Sequence, residues 1–276
     1  MISLNGYPID CSKHFPDGTL NLKINEDAIK SVVETAEIFT PVVRWNYQGE
    51  EEMAALFYVV GWLRGHRFET IDLELPYVPN ARMDRIRSND EVFTLKYFGK
   101  FINSLNFHCV RVFDPHSDVV AGVIDNIMVD KPSFYIAKAC AQIGAKDILP
   151  YYPDKGAVRR YADAGEVYAY GDKERIWDTG KITGLQVIVP EGMDITGKSV
   201  LMIDDICTNG DTFYYSAMTL RRMGANSVFA YCSHCENSVL KSELLTTEGL
   251  IDRLFTTDSV YTGSHPKIEV FKWRKW

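Results

Sequence analysis

From residue 200 to residue 213 the chain reads Val-Leu-Met-Ile-Asp-Asp-Ile-Cys-Thr-Asn-Gly-Asp-Thr-Phe, an apolar run that stops at two carboxylates and passes into a turn of hydroxyls and glycine. A buried strand over Val200–Ile203 delivers Asp204 and Asp205 to the carboxyl edge of a sheet, where open α/β folds take their ligands. The turn Thr208–Thr212, with Asn209, Gly210 and Asp211 between, then opens a helix. The first N–H groups of that helix, with the hydroxyls of Thr208 and Thr212, suit a phosphate, and the paired acids suit the vicinal hydroxyls of a ribose. The same residue types also make ordinary helix caps. The stretch lacks Gly-Lys-Ser/Thr, so it is not the usual nucleotide-triphosphate loop.

Apolar strands and amphipathic helices alternate along nearly the whole chain, the pattern of a mainly parallel sheet flanked by helices. Residues 1–25 read instead as short strands around the turn Phe15-Pro-Asp-Gly18. A helix over Glu50–Arg64, with Met53, Leu56, Phe57, Val60 and Leu63 on one face and Gly65 as its stop, precedes a strand at Thr70–Leu75. A helix over Glu91–Leu105, turning Phe98, Phe101, Ile102 and Leu105 inward, precedes a strand at Cys109–Phe113. After Lys131-Pro132 the order begins again, with helix 133–143, strand 146–150, helix 154–164 and strand 166–170. Two similar α/β domains are expected, 1–130 and 131–276. Residues 171–184, charged and bounded by glycines, read as an irregular segment, either a surface linker or a lid carrying Lys173 and Arg175.

The chain has 276 residues, long enough for two modest domains. Its net charge of −7 and pI near 5.4 give no global field for nucleic acid, so phosphate binding must rest on local groups. No apolar stretch is long enough to span a membrane and the start has no signal-peptide pattern, so a cytoplasmic protein is expected. The six cysteines are scattered through apolar segments, as reduced core thiols are. Cys232-Ser-His-Cys235 alone has metal-ligand spacing. With no second Cys/His pair to complete four ligands, two packed thiols at a strand end are the expectation.

Other loops that follow strands carry chemistry-bearing residues. In Leu75-Pro-Tyr-Val-Pro-Asn-Ala-Arg-Met-Asp-Arg85, two prolines fix an extended loop with Arg82, Arg85 and Arg87 beyond it. Such arginines suit phosphate chains, or make surface ion pairs. Phe113-Asp-Pro-His-Ser117 places Asp114 and His116 at the same edge, for metal, acid–base or structural use. Tyr151-Tyr-Pro-Asp-Lys-Gly156 places Asp154 where a helix cap stands by default. These loops and the 204–212 turn are expected to converge on one crevice.

The ordered set resembles the ribose-phosphate pyrophosphokinases from about Phe15 to Asp258. Phe15-Pro-Asp17-Gly18 is similar to that family's adenine-binding hairpin, and Ala81 to Arg85, with Arg82 and Asp84, to its ATP-phosphate loop. Asp114-Pro-His116 is similar to its metal and triphosphate loop, and Pro153-Asp-Lys-Gly156 to the loop after the first strand of its second domain. Lys173-Glu-Arg175 stands where the family's catalytic flexible loop carries lysine and arginine. Asp204–Thr212 matches its ribose-phosphate motif, and Ser233-His234 a further shared strand end. The 204–212 turn alone also fits type I phosphoribosyltransferases; the N-terminal motifs separate the two.

The resemblance implies two phosphoribosyltransferase-like domains, the first for ATP and the second for ribose phosphate. It implies transfer of the β,γ-diphosphoryl group of ATP to the C1 hydroxyl of a ribose. It further implies Mg²⁺ held through His116, Asp114 and Asp154, catalysis by Lys173, Arg175 and His116, and a homo-oligomer whose ATP site lies at a subunit interface. The departures are specific. Thr19 stands where the hairpin usually has glutamate, Met83 where the ATP loop usually has glutamine, and Asn209 and Asp211 where the turn usually has threonine and glycine. The first strand–helix unit of longer relatives has no counterpart, which leaves their allosteric control and hexamer contacts open. A carboxylate at 211 would repel a phosphate monoester dianion unless it turns away or binds metal. That makes ADP-ribose, a phosphodiester with a free C1 hydroxyl, an alternative acceptor to ribose 5-phosphate. A type I phosphoribosyltransferase and a noncatalytic regulatory relative are the remaining alternatives.

Overall fold

The computed structural model describes residues 1–35, 40–175 and 182–274; the side chains of 35, 173–175 and 182–185 lie outside that description. Two compact units divide the chain, residues 1–131 with Arg274 in one and 132–273 in the other.

In the first unit the elements run β1 (Ile2–Leu4), β2 (Tyr7–Ile9), α1 (Glu26–Thr35), β3 (Val42–Trp45), α2 (Glu52–Gly65), β4 (Asp72–Leu75), α3 (Thr94–Ser104), β5 (Cys109–Phe113), α4 (Val120–Val123) and β6 (Ile127–Asp130). The sheet order is β2-β1-β3-β4-β5-β6. Strands β3 to β6 are parallel, and the β1–β2 hairpin joins the β3 edge antiparallel. Its loop is Asn5-Gly6, with φ of 47° and 85°. Two-residue hairpins take primed turns that need positive φ, and Asn-Gly supplies it. The expected hairpin at Phe15–Gly18 is smaller, a turn closed by an isolated bridge between His14 and Leu20. Helix α2 buries Ala55, Leu56, Val59, Val60 and Leu63, whereas Phe57, expected inward, is 54% exposed. The helix carries apolar residues on most of its circumference, so spacing did not single out the buried stripe.

In the second unit the elements run α5 (Ser133–Ile143), β7 (Ile148–Tyr152), α6 (Lys155–Tyr161), β8 (Ala169–Arg175), β9 (Ile182–Ile188), β10 (Ser199–Cys207), α7 (Asp211–Arg222), β11 (Ser227–Cys235), α8 (Glu243–Thr246), β12 (Arg253–Thr257) and β13 (Ile268–Phe271). The order is β13-β12-β11-β10-β7-β8-β9, and every neighbouring pair is parallel except β8–β9. Two differences from the sequence reading matter. Strand β10 runs four residues past Ile203, because pairing with β11 continues through Asp204↔Cys232, Ile206↔His234 and Cys207↔Cys235. Residues 171–175 and 182–184 are arms of an antiparallel hairpin rather than an irregular segment, with Asp172↔Gln186 and Lys173↔Leu185 in register. Their charged, glycine-bearing sequence suits strands at a sheet margin, where no second apolar face is required. Among the described residues no helix is long and apolar enough to cross a membrane.

Candidate functional site

The 204–212 turn of the second unit sits where β10 gives way to α7. Alternation along a strand sends Asp204 and Asp205 to opposite faces. Asp205 is 5% exposed and meets Arg160 of α6, with Nη1 to Oδ2 at 2.6 Å. Burial would lower the Arg160 pKa, but the Asp205 carboxylate and Tyr161 together more than offset this, and the net shift is upward. Asp204 is half-buried, and its Oδ1 accepts from the Asp205 N–H at 3.0 Å. The expected pair of ribose ligands is thus unequal: Asp205 is tied to Arg160.

Gly210 caps α7 with φ of 81°. A Cβ there would also lie 3.0 Å from Leu244 Cδ2, so backbone conformation and packing both call for glycine. Asn209 and Asp211 are exposed. Asp211 is the first helical residue, where a carboxylate complements the helix dipole. Thr208 Oγ1 donates to Glu236 Oε1 at 3.2 Å, Glu236 N–H donates to Cys207 O at 2.8 Å, and Ser238 Oγ donates to Thr208 O at 2.9 Å. The end of β11 therefore holds the turn in place. Tyr151 of β7, its hydroxyl pushed up to about 12 chiefly by burial, donates to Ser216 Oγ at 3.1 Å and fastens α7 to the sheet. Beside the turn opens a cavity of about 630 Å³ whose lining includes Asn209, Asp211, Tyr214, Tyr215, Ser238 and Lys241.

Two neighbours of the turn carry other predicted residues. Asp154 Oδ1 accepts from the N–H groups of Gly156 and Ala157, both at 3.0 Å, the N-cap of α6. Lys155, which sequence reasoning did not single out, reaches Asp172 of β8 at 3.5 Å. Lys173 and Arg175 have their backbones in β8, and their side chains lie outside the described residues. Ser233 and His234 are buried structural groups. His234 Nδ1 lies 2.8 Å from Ser259 Oγ, and Thr257 Oγ1 donates to Ser233 O at 2.7 Å.

In the first unit, the loops after β4 and β5 are joined by Ser117 Oγ donating to Asp84 Oδ2 at 2.7 Å. Arg82, Arg85 and Arg87 are exposed, and Arg85 Nε lies 3.2 Å from Asp84 Oδ1. Asp114 is 4% exposed with φ of 39°, and its N–H donates to Asp130 O at 3.0 Å. A non-glycine residue held at positive φ between a strand and a loop is a costly conformation that the surrounding contacts impose. His116 follows, half-buried. Phe15 is 51% exposed at its turn. Asp17 is used within that turn, where Oδ1 accepts from Thr19 N–H at 3.0 Å and from Thr19 Oγ1 at 2.7 Å. These bonds hold the Asp17 pKa below the usual carboxylate range.

Sequence reasoning also missed Arg160 and the third thiol beside Cys232 and Cys235, which is Cys207. Arg160 is one of two arginines ending a short helix, with no sequence mark of its partner. Cys207 lies 25 residues before Cys232, and only strand register brings it near.

No family model matches the chain. The ribose-phosphate pyrophosphokinase of Pyrococcus furiosus is 29% identical over 252 residues, covering 88% of this chain and 80% of that one. Ribose-phosphate pyrophosphokinase 2 of Archaeoglobus fulgidus is 28% identical over 255 residues, covering 90% and 83%. The crystal structure of phosphoribosylpyrophosphate synthetase from Mycobacterium smegmatis superposes with a TM-score of 0.67 at 20% identity, over 80% of this chain and 73% of that one, a likeness of fold. At 28–29% identity over 88–90% of its length, a span that reaches into both α/β units, the chain is similar to the ribose-phosphate pyrophosphokinases.

Proposed function

We propose that the protein is an ATP-dependent ribose diphosphokinase. The C1 hydroxyl oxygen of a ribose attacks the β-phosphorus of ATP, the bond from that phosphorus to the α,β-bridging oxygen breaks, AMP leaves with the bridging oxygen, and the hydroxyl proton passes to solvent. The observation that carries this reading is the turn after β10. There a half-buried Asp204, towards the end of β10, is followed by Thr208, Thr212 and the N-terminus of α7. That is an acceptor for sugar hydroxyls next to donors for a phosphate.

On this reading each unit has its own roles. In the second, Asp204 orients the ribose hydroxyls, Asp205 with Arg160 keeps that strand end rigid, and residues 208–212 hold the 5-phosphate. In the first, Arg82 and Arg85, set by the Asp84–Ser117 bond, bind the ATP phosphates, and Phe15–Gly18 packs on adenine, completing the ATP site of a neighbouring subunit. Diphosphoryl transfer depends on neutralising charge spread over the moving group, and Lys173 and Arg175 supply that. Mg²⁺ is a hard ion that needs only one or two protein ligands when phosphates and water complete its shell. His116 beside the buried Asp114 meets that requirement; Asp154 contributes through a carboxylate whose Oδ1 is already a cap. When bound, the ion neutralises triphosphate charge.

The acceptor is ribose 5-phosphate or a ribose with a larger 5-substituent, and Asp211 with the cavity beside it supports ADP-ribose. An exposed carboxylate in the phosphate turn disfavours a dianion relative to a diester. The cavity is large enough for a substituent beyond the first phosphate, with Lys241 and two tyrosines on its wall.

An assay of AMP release with ribose 5-phosphate and ADP-ribose side by side tests both layers. Preference for the monoester removes the diester reading, and no AMP with either acceptor favours a noncatalytic relative. Under the same assay Lys173→Ala and Arg175→Ala should each lower turnover about 10²–10³-fold with little change in ATP binding, the loss typical of a transition-state donor. Unchanged turnover would remove these two residues from catalysis.

A further inference from the structure

We propose that Cys207, Cys232 and Cys235 form a binding site for a thiophilic divalent metal ion of the zinc class, a clamp at the base of the 208–212 turn. Their three Sγ atoms all lie within 4.8 Å of one another, so a point within about 2.8 Å of every sulfur exists. Zinc–thiolate bonds are about 2.3 Å, so an inward shift of roughly half an ångström per sulfur closes the site. A disulfide would use two sulfurs and strand the third; convergence of three is the geometry of a metal site.

The residues come from separate places in the sequence. Cys207 ends β10 and is the register partner of Cys235 at the end of β11. Cys232 lies three positions before Cys235, a spacing that ordinarily puts two side chains on opposite faces of a strand, yet its sulfur joins the same group. All three are buried, at 2%, 0% and 0% exposure, with Phe213, Val239 and Leu244 in the same core cluster. Among the described residues the group holds no fourth acid, histidine or cysteine, so the thiolates supply three ligands.

Three thiolates favour soft or borderline ions over magnesium, which separates this site from the one for Mg²⁺. On binding, each thiol that is protonated releases its proton to solvent, and the bound ion leaves one residual negative charge. The site bears on the turn directly. Cys207 is followed by Thr208 and Cys235 by Glu236, and the two chains are already joined by Glu236 N–H to Cys207 O at 2.8 Å and Thr208 Oγ1 to Glu236 Oε1 at 3.2 Å. A bound ion fixes both strand ends at the root of the turn.

The test uses the full chain, stripped of metal and kept reduced with a phosphine. Cadmium titration should develop thiolate-to-metal charge-transfer absorption that saturates at one equivalent and is displaced by zinc, and zinc should raise the unfolding temperature. Cys207→Ser, Cys232→Ser and Cys235→Ser should each lose the absorption, while Cys109→Ser and Cys140→Ser retain it. Native mass spectrometry of the unsubstituted protein, which should retain one zinc ion, keeps the test decisive if a serine variant fails to fold. No charge-transfer absorption, a band that survives all three substitutions, or absence of the retained ion overturns the proposal.

Discussion

Asp204 and Asp205 are neighbours of one residue type, and sequence alone assigned them one role. The strand separates them, giving Asp205 a buried partner in Arg160 at 2.6 Å and leaving Asp204 half-buried. Removing one member of such a pair strands a charge away from water. Arg160→Ala should therefore destabilise the protein toward the low end of the roughly 3–5 kcal/mol seen for buried pairs, because 30% of the Arg160 side chain is still exposed. Urea unfolding followed by circular dichroism measures it, and a loss below about 0.5 kcal/mol would reduce the pair to an ordinary surface contact. The acids were legible because two carboxylates after an apolar run are conspicuous. Their partner was not, because nothing local distinguishes Arg160 from Arg159.

At the scale of elements, the alternation of strands and helices was readable because each has its own hydrophobic period, and helix 133–143 and strand 109–113 fall on the residues expected. What was hidden are features fixed by partners: the extra length of β10, drawn out by β11, and the β8–β9 hairpin, whose polar arms carry no buried alternation. Helix α6 separates a structural role from a chemical one. Asp154 caps it, and asparagine caps about as well as aspartate. Asp154→Asn should therefore leave stability within about 0.5 kcal/mol of the parent, whereas Asp154→Ala should cost about 1 kcal/mol. If Asp154 also contributes to Mg²⁺ binding, Asp154→Asn should raise the magnesium concentration needed for half-maximal AMP release while unfolding is unchanged. Equal magnesium dependence in parent and Asn variant would confine Asp154 to capping.

The two-unit plan of the whole molecule was visible in the repeated order of elements, but the sequence placed residue 274 with the second domain, whereas Arg274 belongs to the first unit. Electrostatics gives the reason. In the first sheet Arg44, Glu74 and Arg111 are register partners across β3, β4 and β5. Arg111 pairs with Asp130 at 2.9 Å, and Arg274 reaches Glu74 Oε1 at 3.0 Å and Asp130 Oδ2 at 3.7 Å. Glu74 is buried, and its Oε2 lacks a hydrogen bond, with Arg44 Nη1 3.9 Å away. Burial pushes the Glu74 pKa above the ordinary 4.5, and Arg274, then Arg44, pull it back only in part. The folded state therefore binds the proton more tightly than the unfolded chain, so stability falls as pH rises from about 4.5 through the raised value. The hydrogen-bonded, exposed Asp10, Asp17 and Asp194 act with the opposite sign and below 3.8, which keeps the two windows apart. Urea unfolding across this pH range should show that fall in the parent, a flatter profile in Glu74→Gln, and a fall extended to higher pH in Arg274→Ala, where the strongest opposing charge is gone. Hydrogen exchange should place the Arg274→Ala loss in β3, β4 and β5 and leave β10 and β11 unchanged. Loss of protection in β10 and β11 instead would show that Arg274 stabilises the second unit and not the Glu74 cluster.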